Sequence, residues 1–66
     1  MISQEIEVLE VLQGDVVRIS GRAYTVTGKV LTGDVVALFI KPVGNRRAGE
    51  ALVHAEAYDL VEVIRD

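Results

Sequence analysis

The sequence predicts one small all-β domain over residues 1–66, an antiparallel barrel of five or six short strands. Two observations support this prediction. Twelve valines and five isoleucines dominate the apolar residues, and both residue types favour strands. Six glycines, at positions 14, 21, 28, 33, 44 and 49, recur at about the spacing of short strands and mark regular turns. A chain of 66 residues leaves no room for a second domain.

Turn signals divide most of the chain into strands near 16–19, 22–31, 35–41, 50–55 and 60–65. Ser20-Gly21 and Gly33-Asp34 fit two-residue hairpin turns. The pattern Leu-x-Gly-Asp-Val-Val occurs at 12–17 and again at 31–36, which we interpret as one turn type used twice. A longer loop runs from 44 to 49, and residues 55–59 predict a single helical or 3₁₀ turn.

Residues 2–12 fit two structures. Ile2, Ile6 and Leu9 would share one face of a helix with Ser3 as its cap. Val8 and Val11 interrupt that face and suit an extended segment. We expect the extended structure.

The two hairpin turns predict which residues share a face of the sheet. They pair Val17 with Tyr24 and Gly28 with Phe39, and paired residues point to the same side. Gly28 then leaves room for the Phe39 ring to lie across its strand. The expected core face consists of Val17, Ile19, Tyr24, Val26, Val30, Val35, Ala37 and Phe39.

The opposite face is polar on two strands but apolar on the third, which should alternate if one side meets water. Its apolar stripe, predicted to point outward, consists of Leu31, Val36, Leu38 and Ile40. Either residues 2–12 or a second copy of the chain must cover this stripe. We expect a homo-oligomer that uses it as the interface, so that Leu38→Lys gives a folded monomer.

Charge and composition exclude several classes of protein. The net charge is −3 and the pI about 5.0, which disfavours nucleic acid and anionic membranes as partners. No apolar run approaches the roughly 18 residues of a membrane span, and the acidic start does not resemble a secretory signal. We expect a cytoplasmic protein, or one in a host cytoplasm or virion if a phage encodes it. Without cysteine, the chain has no disulfide.

The sequence offers little for catalysis, so we expect no enzyme, no metal and no cofactor. It has one His and two Ser but no Cys, too few partners for a nucleophilic set. His54 could act with Glu56 as a base or ligand, but one imidazole makes no metal site alone. We interpret His54 as a partly exposed strand residue, and Glu5, Glu7 and Glu10 as solvated acids.

One basic cluster is a candidate anion or nucleic-acid contact. Arg46 and Arg47 are adjacent in the 44–49 loop near Lys41, and Arg18 and Lys29 could add to them from the outer face. Arginine pairs readily with phosphate and carboxylate groups. A solvated loop is the alternative interpretation, because few aromatic residues could stack on bases.

The run from Gly14 to Val26 resembles the opening of bacterial and phage small barrels of the SH3-like type. In these, a strand reading Gly-Asp, apolar, basic, apolar turns at glycine into a Tyr-x-Val strand. Residues 55–63 resemble their 3₁₀ turn and closing strand, and the first run also resembles the KOW segment of transcription and ribosomal proteins. The resemblance implies an SH3-like barrel, with an oligonucleotide-type barrel as the alternative.

Two functions follow as hypotheses. The first is a non-enzymatic protein-interaction or structural module that self-associates and is encoded by a phage or mobile element, with an unknown protein partner. The second is a KOW-like accessory barrel that binds nucleic acid through the five bases named above. Fold resemblance does not decide between them, because small barrels carry many functions.

Overall fold

Six β-strands and one 3₁₀ turn make up most of the protein in the computed structural model, which describes residues 2–65. In chain order these elements are β1 (Ile2–Glu7), the 3₁₀ turn (Val8–Glu10), β2 (Val16–Ile19), β3 (Arg22–Thr32), β4 (Val35–Pro42), β5 (Ala51–Glu56) and β6 (Leu60–Arg65). All neighbouring strands pair antiparallel, which confirms the all-β prediction. In the part of the chain described, no helix has the length and apolarity to cross a membrane.

The predicted elements match the observed ones closely. The five predicted strands correspond to β2 to β6 with ends that differ by at most one residue. The extended structure expected at the start is confirmed for β1, whereas the helical alternative survives only as the 3₁₀ turn. The link between β5 and β6 is a tight turn in which the Asp59 N–H donates to the Glu56 carbonyl at 3.0 Å.

The strands form one sheet in the order β1-β6-β2-β3-β4-β5. Strand β6 therefore lies between the first two strands of the chain. Strands β1 and β5 are the two edges, and within residues 2–65 neither pairs on its outer side. The sheet is open, so closure into a barrel is not observed.

Two hairpins have the register that their turn residues predict. Ser20 and Gly21 have φ of 52° and 79°, the left-handed pair that a type I′ turn requires. Ile19 then pairs with Arg22. Gly33 has φ of 58° and the pairing of Thr32 with Val35 follows.

The interpretation of Gly14-Asp15 as a copy of the second hairpin turn is wrong. Here the Asp15 N–H donates to the Leu12 carbonyl at 3.0 Å, so Gly14 is the third residue of its turn rather than the second. The Gly14 N–H donates to the Val26 carbonyl and the Val26 N–H to the Asp15 carbonyl, both at 2.8 Å. These bonds attach the turn to β3 instead of starting a hairpin.

A β-bulge in β3 reverses the predicted faces of its second half. Val26 pairs with Ile40 and Gly28 with Phe39, so that Thr27 is an extra residue without a partner opposite it. One extra residue shifts the alternation of side chains by one position. Before Thr27 the even-numbered side chains of β3 point to the core, and after it the odd-numbered ones do.

The outward orientation predicted for Val36, Leu38 and Ile40 is consequently wrong. These side chains are buried, at 0%, 3% and 4% exposure, while Leu31 is exposed near the strand end. They belong to the core and offer a partner no surface. Four of the predicted core residues instead lie on the outer face: Val30, Val35, Ala37 and Phe39.

The N-terminal segment covers the inner face that the bulge creates. Val8 and Val11 are buried in the same cluster as Leu38. Of the two possible covers for the apolar stripe, residues 2–12 and a second copy of the chain, the structure therefore shows the first. Backbone bonds hold the 3₁₀ turn in place, with the Val8 N–H donating to the Asp59 carbonyl at 2.8 Å. The full core is aliphatic: Val8, Val11, Val17, Val26, Val36, Leu38, Ile40, Ala57 and Val63.

We expect Leu38→Ala to lower the free energy of unfolding by about 2–5 kcal/mol, because it leaves a cavity in a packed core. Leu31→Ala, on the same face of the hairpin but exposed, should lower it by less than about 1 kcal/mol. Urea denaturation monitored by circular dichroism measures both. Equal effects of the two substitutions would mean that Leu38 lies outside the core.

Candidate functional site

An apolar patch occupies the outer face of β3, β4 and β5. It consists of Val30, Val35, Phe39 and Leu52, which are between 37% and 51% exposed. Phe39 lies on the middle strand of the three, paired with Gly28 on one side and Leu52 on the other. We call these four residues the outer patch.

The Phe39 ring lies against Gly28, as the sequence predicts. A Cβ atom added at Gly28 would lie 3.4 Å from the Cδ2 atom of Phe39. The absence of a side chain at Gly28 thus gives the ring a flat seat on β3. The ring is fixed by this contact while much of its outer surface faces solvent.

The other half of the outer face is charged. Glu62 of β6 lies between Glu5 of β1 and Arg18 of β2. The Arg18 guanidinium donates to the Glu62 carboxylate at 3.3 Å, and the Ser3 hydroxyl also donates to it. The outer face therefore has an apolar patch on β3, β4 and β5 and a charged cluster on β1, β6 and β2.

Two of the five bases predicted to contact an anion have partners within the protein. Arg18 forms the ion pair with Glu62. Lys29 lies on the inner side of the bulged strand, and its Nζ donates to the Leu9 carbonyl at 2.7 Å. The structure thus gives Lys29 a role in holding the 3₁₀ turn.

Lys41 and Arg46 share a concave site, which we call the basic pocket. It has a volume of about 350 Å³. Its lining is Thr25, Thr27, Lys41, Pro42, Val43, Gly44, Asn45 and Arg46. The neighbouring Arg47 does not line it, although the Arg47 N–H donates to the Asn45 side-chain oxygen at 3.2 Å.

A second cavity, of about 360 Å³, lies between β5 and β6. Its lining is almost entirely aliphatic: Val8, Ile19, Leu38, Val53, Ala55, Asp59, Leu60 and Val61. Asp59 is the single polar residue among these, and its carboxylate accepts the Glu56 N–H at 3.2 Å. This cavity is therefore suited to apolar side chains and not to acid–base chemistry.

Asp15 makes a polar contact that sequence reasoning missed. Its carboxylate accepts hydrogen bonds from the Arg65 guanidinium at 3.0 Å and from the Leu12 N–H at 2.9 Å. Burial raises the pKa of Asp15, but the bonds from Arg65 and Leu12 and the charges of Arg65 and Lys29 outweigh it, so the pKa lies below its usual value. The sequence shows Asp15 only as a turn residue, because Arg65 is 50 positions away.

His54 is exposed on the outer face, opposite Ala37 of β4, in agreement with its interpretation as a strand residue. Across residues 2–65 no group of three or more His, Asp or Glu side chains is arranged to hold a metal ion. Glu5 and Glu10 are exposed and Glu7 half-buried.

Comparison with known proteins identifies no relative of this chain. No protein-family model matches the chain, and no curated protein or solved structure matches it significantly. The resemblance to SH3-like and KOW proteins therefore has no support beyond the residues that suggested it.

We expect Asp15→Asn to weaken the acid sensitivity of folding. Because the pKa of Asp15 is lower in the folded state, its carboxylate stabilises the fold fully above the unfolded pKa of about 3.9. This contribution is lost as the pH falls through the folded pKa. The free energy of unfolding of Asp15→Asn should be about 1 kcal/mol lower than wild type at neutral pH and should change less below about pH 4.

Asp34→Asn is the matched control, since Asp34 is an exposed acid in a hairpin turn. Denaturant titrations at several pH values compare the three proteins. If Asp15→Asn and wild type lose stability in parallel as the pH falls, the contact between Asp15 and Arg65 does not stabilise the fold.

Proposed function

We propose that this protein is a non-enzymatic protein-interaction module that self-associates through the outer patch. The observation that supports this proposal is the exposure of Phe39 and Leu52 side by side, with Val30 and Val35 exposed further along the same face of the sheet. Contiguous exposed apolar residues with a polar surround are typical of interaction surfaces. The interface keeps the predicted strand, β4, but uses its opposite face.

The outer patch carries no charge that would oppose a second copy of the chain as the partner. Each molecule carries a net charge of −3, so two copies repel each other unless they meet at a neutral surface. The outer patch has no charged member, and the nearest cross-strand neighbours include His54 and a single acid, Glu56, opposite Val35. Two outer patches can therefore pack together with little repulsion.

Burial supplies the driving force. Full burial of one large aliphatic or aromatic side chain is favourable by about 1.5–3 kcal/mol. The four residues of the outer patch are already partly covered, so each would contribute roughly 1 kcal/mol on association. Phe39 needs little ordering, because Gly28 already seats its ring.

We also propose that the domain is an open member of the SH3-like class of small barrels. The order β6-β2-β3-β4-β5 supports this, since four consecutive strands follow each other and the last strand returns to pair with the first of them. Strand β1 adds to β6 on the far side.

Nucleic acid has weaker support as a partner. Of the five candidate bases, only Lys41 and Arg46 line one site, whereas Arg18 and Lys29 contact groups of the protein itself. Binding to a phosphate backbone needs several cations on one surface. The nucleic-acid hypothesis therefore rests on Lys41 and the 44–49 loop alone.

Leu52→Lys should convert the self-associated protein into a folded monomer. Leu52 is 51% exposed, so lysine at this position is tolerated by the fold but places a charge in the proposed interface. Light scattering coupled to size exclusion, at high micromolar concentration, measures the mass. Thermal unfolding checks that the variant remains folded.

Leu12→Lys is the matched control. Leu12 is 61% exposed, lies outside the outer patch and changes the net charge equally. It should keep the wild-type mass. A wild-type protein that is monomeric at high concentration, or equal effects of the two variants, would overturn the proposed function.

A further inference from the structure

We infer that the basic pocket binds a small organic oxyanion, a carboxylate or phosphate group attached to a compact apolar body. Lys41 and Arg46 would contact the charged group, and Pro42 and Val43 would contact the apolar part. This inference is independent of self-association, because none of the pocket residues belongs to the outer patch.

The backbone holds the two cations on one side of the sheet. Lys41 is the cross-strand partner of Thr25, so both side chains point to the same face. The Val43 N–H donates to the Ala23 carbonyl at 3.1 Å, which keeps the chain against β3 beyond the end of β4. Gly44 then turns the chain with φ of 83°, and Arg46 returns to the pocket that Lys41 lines.

Charge in the basic pocket is opposite to that of the whole molecule. Its lining contains two of the seven Lys and Arg residues and no acid from residues 2–65. Between residues 2 and 65, ion pairs join Arg18 to Glu62 and Arg65 to Asp15, and neither involves Lys41 or Arg46. Both cations are therefore available to an external anion.

The protein itself shows that a carboxylate can sit at the rim of this site. The Thr27 hydroxyl, which lines the pocket at the bulge, donates to the Glu50 carboxylate and lies 3.2 Å from the Phe39 carbonyl. A ligand carboxylate or phosphate would compete with Glu50 for this hydroxyl and be repelled by its charge. Neutralising Glu50 should thus strengthen binding.

The lining favours a small anion over a nucleic-acid strand. The apolar residues beside the cations are Pro42 and Val43, and no aromatic ring lines the pocket on which a base could stack. A volume of about 350 Å³ is at the lower end of the range for small-molecule sites. One oxyanion between two cations fits this shape.

The test is a titration of the ¹⁵N-labelled protein with phenyl phosphate and, separately, with benzoate, followed by NMR. Amide shifts should concentrate at residues 25–27, at Lys41 and at residues 43–46, with Kd on the order of 1 mM. Lys41→Ala and Arg46→Ala should each weaken binding at least fivefold. Glu50→Gln should tighten it at least twofold.

Arg47→Ala is the matched control, since Arg47 adjoins Arg46 and carries the same charge but does not line the pocket. It should bind the probes within twofold of wild type. Equal losses for Arg46→Ala and Arg47→Ala, or no localised shifts with either probe, would overturn the inference. Tighter, steeply salt-dependent binding of a single-stranded DNA oligonucleotide through the same residues would also overturn it and favour the nucleic-acid hypothesis.

Titration with inorganic phosphate, which has no apolar part, tests whether the apolar body of the ligand contributes to binding. If the apolar body contacts Pro42 and Val43, phenyl phosphate should bind more tightly than inorganic phosphate. Equal affinities would restrict the site to the anion and contradict the proposed apolar contact. The Leu52→Lys variant should bind the probes like wild type, so a failure of this inference is distinguishable from a failure of the proposed interface.

Discussion

The β-bulge at Thr27 is the constraint on which the two faces of this protein depend. Strand β3 has eleven residues and pairs with β2 near its start and with β4 along most of its length. Without the extra residue, side chains that alternate from the buried Val26 onward would place Val36 and Leu38 on the solvent side. With it, Leu38 becomes part of the core and Phe39 part of the outer patch. The same residue also contributes a hydroxyl to the basic pocket.

The buried core is built from aliphatic side chains, with Tyr24 packed against it at the edge. All nine of its buried residues are aliphatic, and the part of the chain described has no buried polar residue. Polar groups instead fix the rim, where Lys29 binds the Leu9 carbonyl and Arg65 binds Asp15. Apolar packing therefore supplies the cohesion, and these charged contacts supply the specific positions of the 3₁₀ turn and the last strand.

Strands and hairpin registers were predictable because they follow from local chemistry. Two-residue turns at Ser20-Gly21 and Gly33-Asp34 set the pairing of the residues beside them. The bulge at Thr27 was harder to predict, because the turn residues fix the pairing next to the turn but not whether the strand contains an extra residue further along. Its signal was Gly28 inside a strand together with the lost alternation at 35–40, a combination that also fits a covered face.

The basic pocket was predictable in part for the same reason. Lys41 and Arg46 lie close in sequence around one loop, so their proximity is local. The partners of Arg18 and Lys29 were not predictable, because both are distant in sequence. Arg18 contacts Glu62, 44 positions away, and Lys29 contacts Leu9, 20 positions away. The contact of Arg18 depends on the order of strands in the sheet. The contact of Lys29 depends on the bulge, which turns this side chain from the predicted outer face to the inner one.

The position of β6 also determines when the protein can fold during synthesis. Strand β6 inserts between β1 and β2, which precede it in the chain and do not pair with each other. The hairpins from β2 to β5 can form as they leave the ribosome, because their partners are neighbours in the chain. Val63 completes the core from the last strand, so the cooperative fold must wait until residues 60–65 have emerged. Until then the inner faces of β2 and β4 stay open to water, and the nascent chain depends on rapid completion to avoid association with other chains.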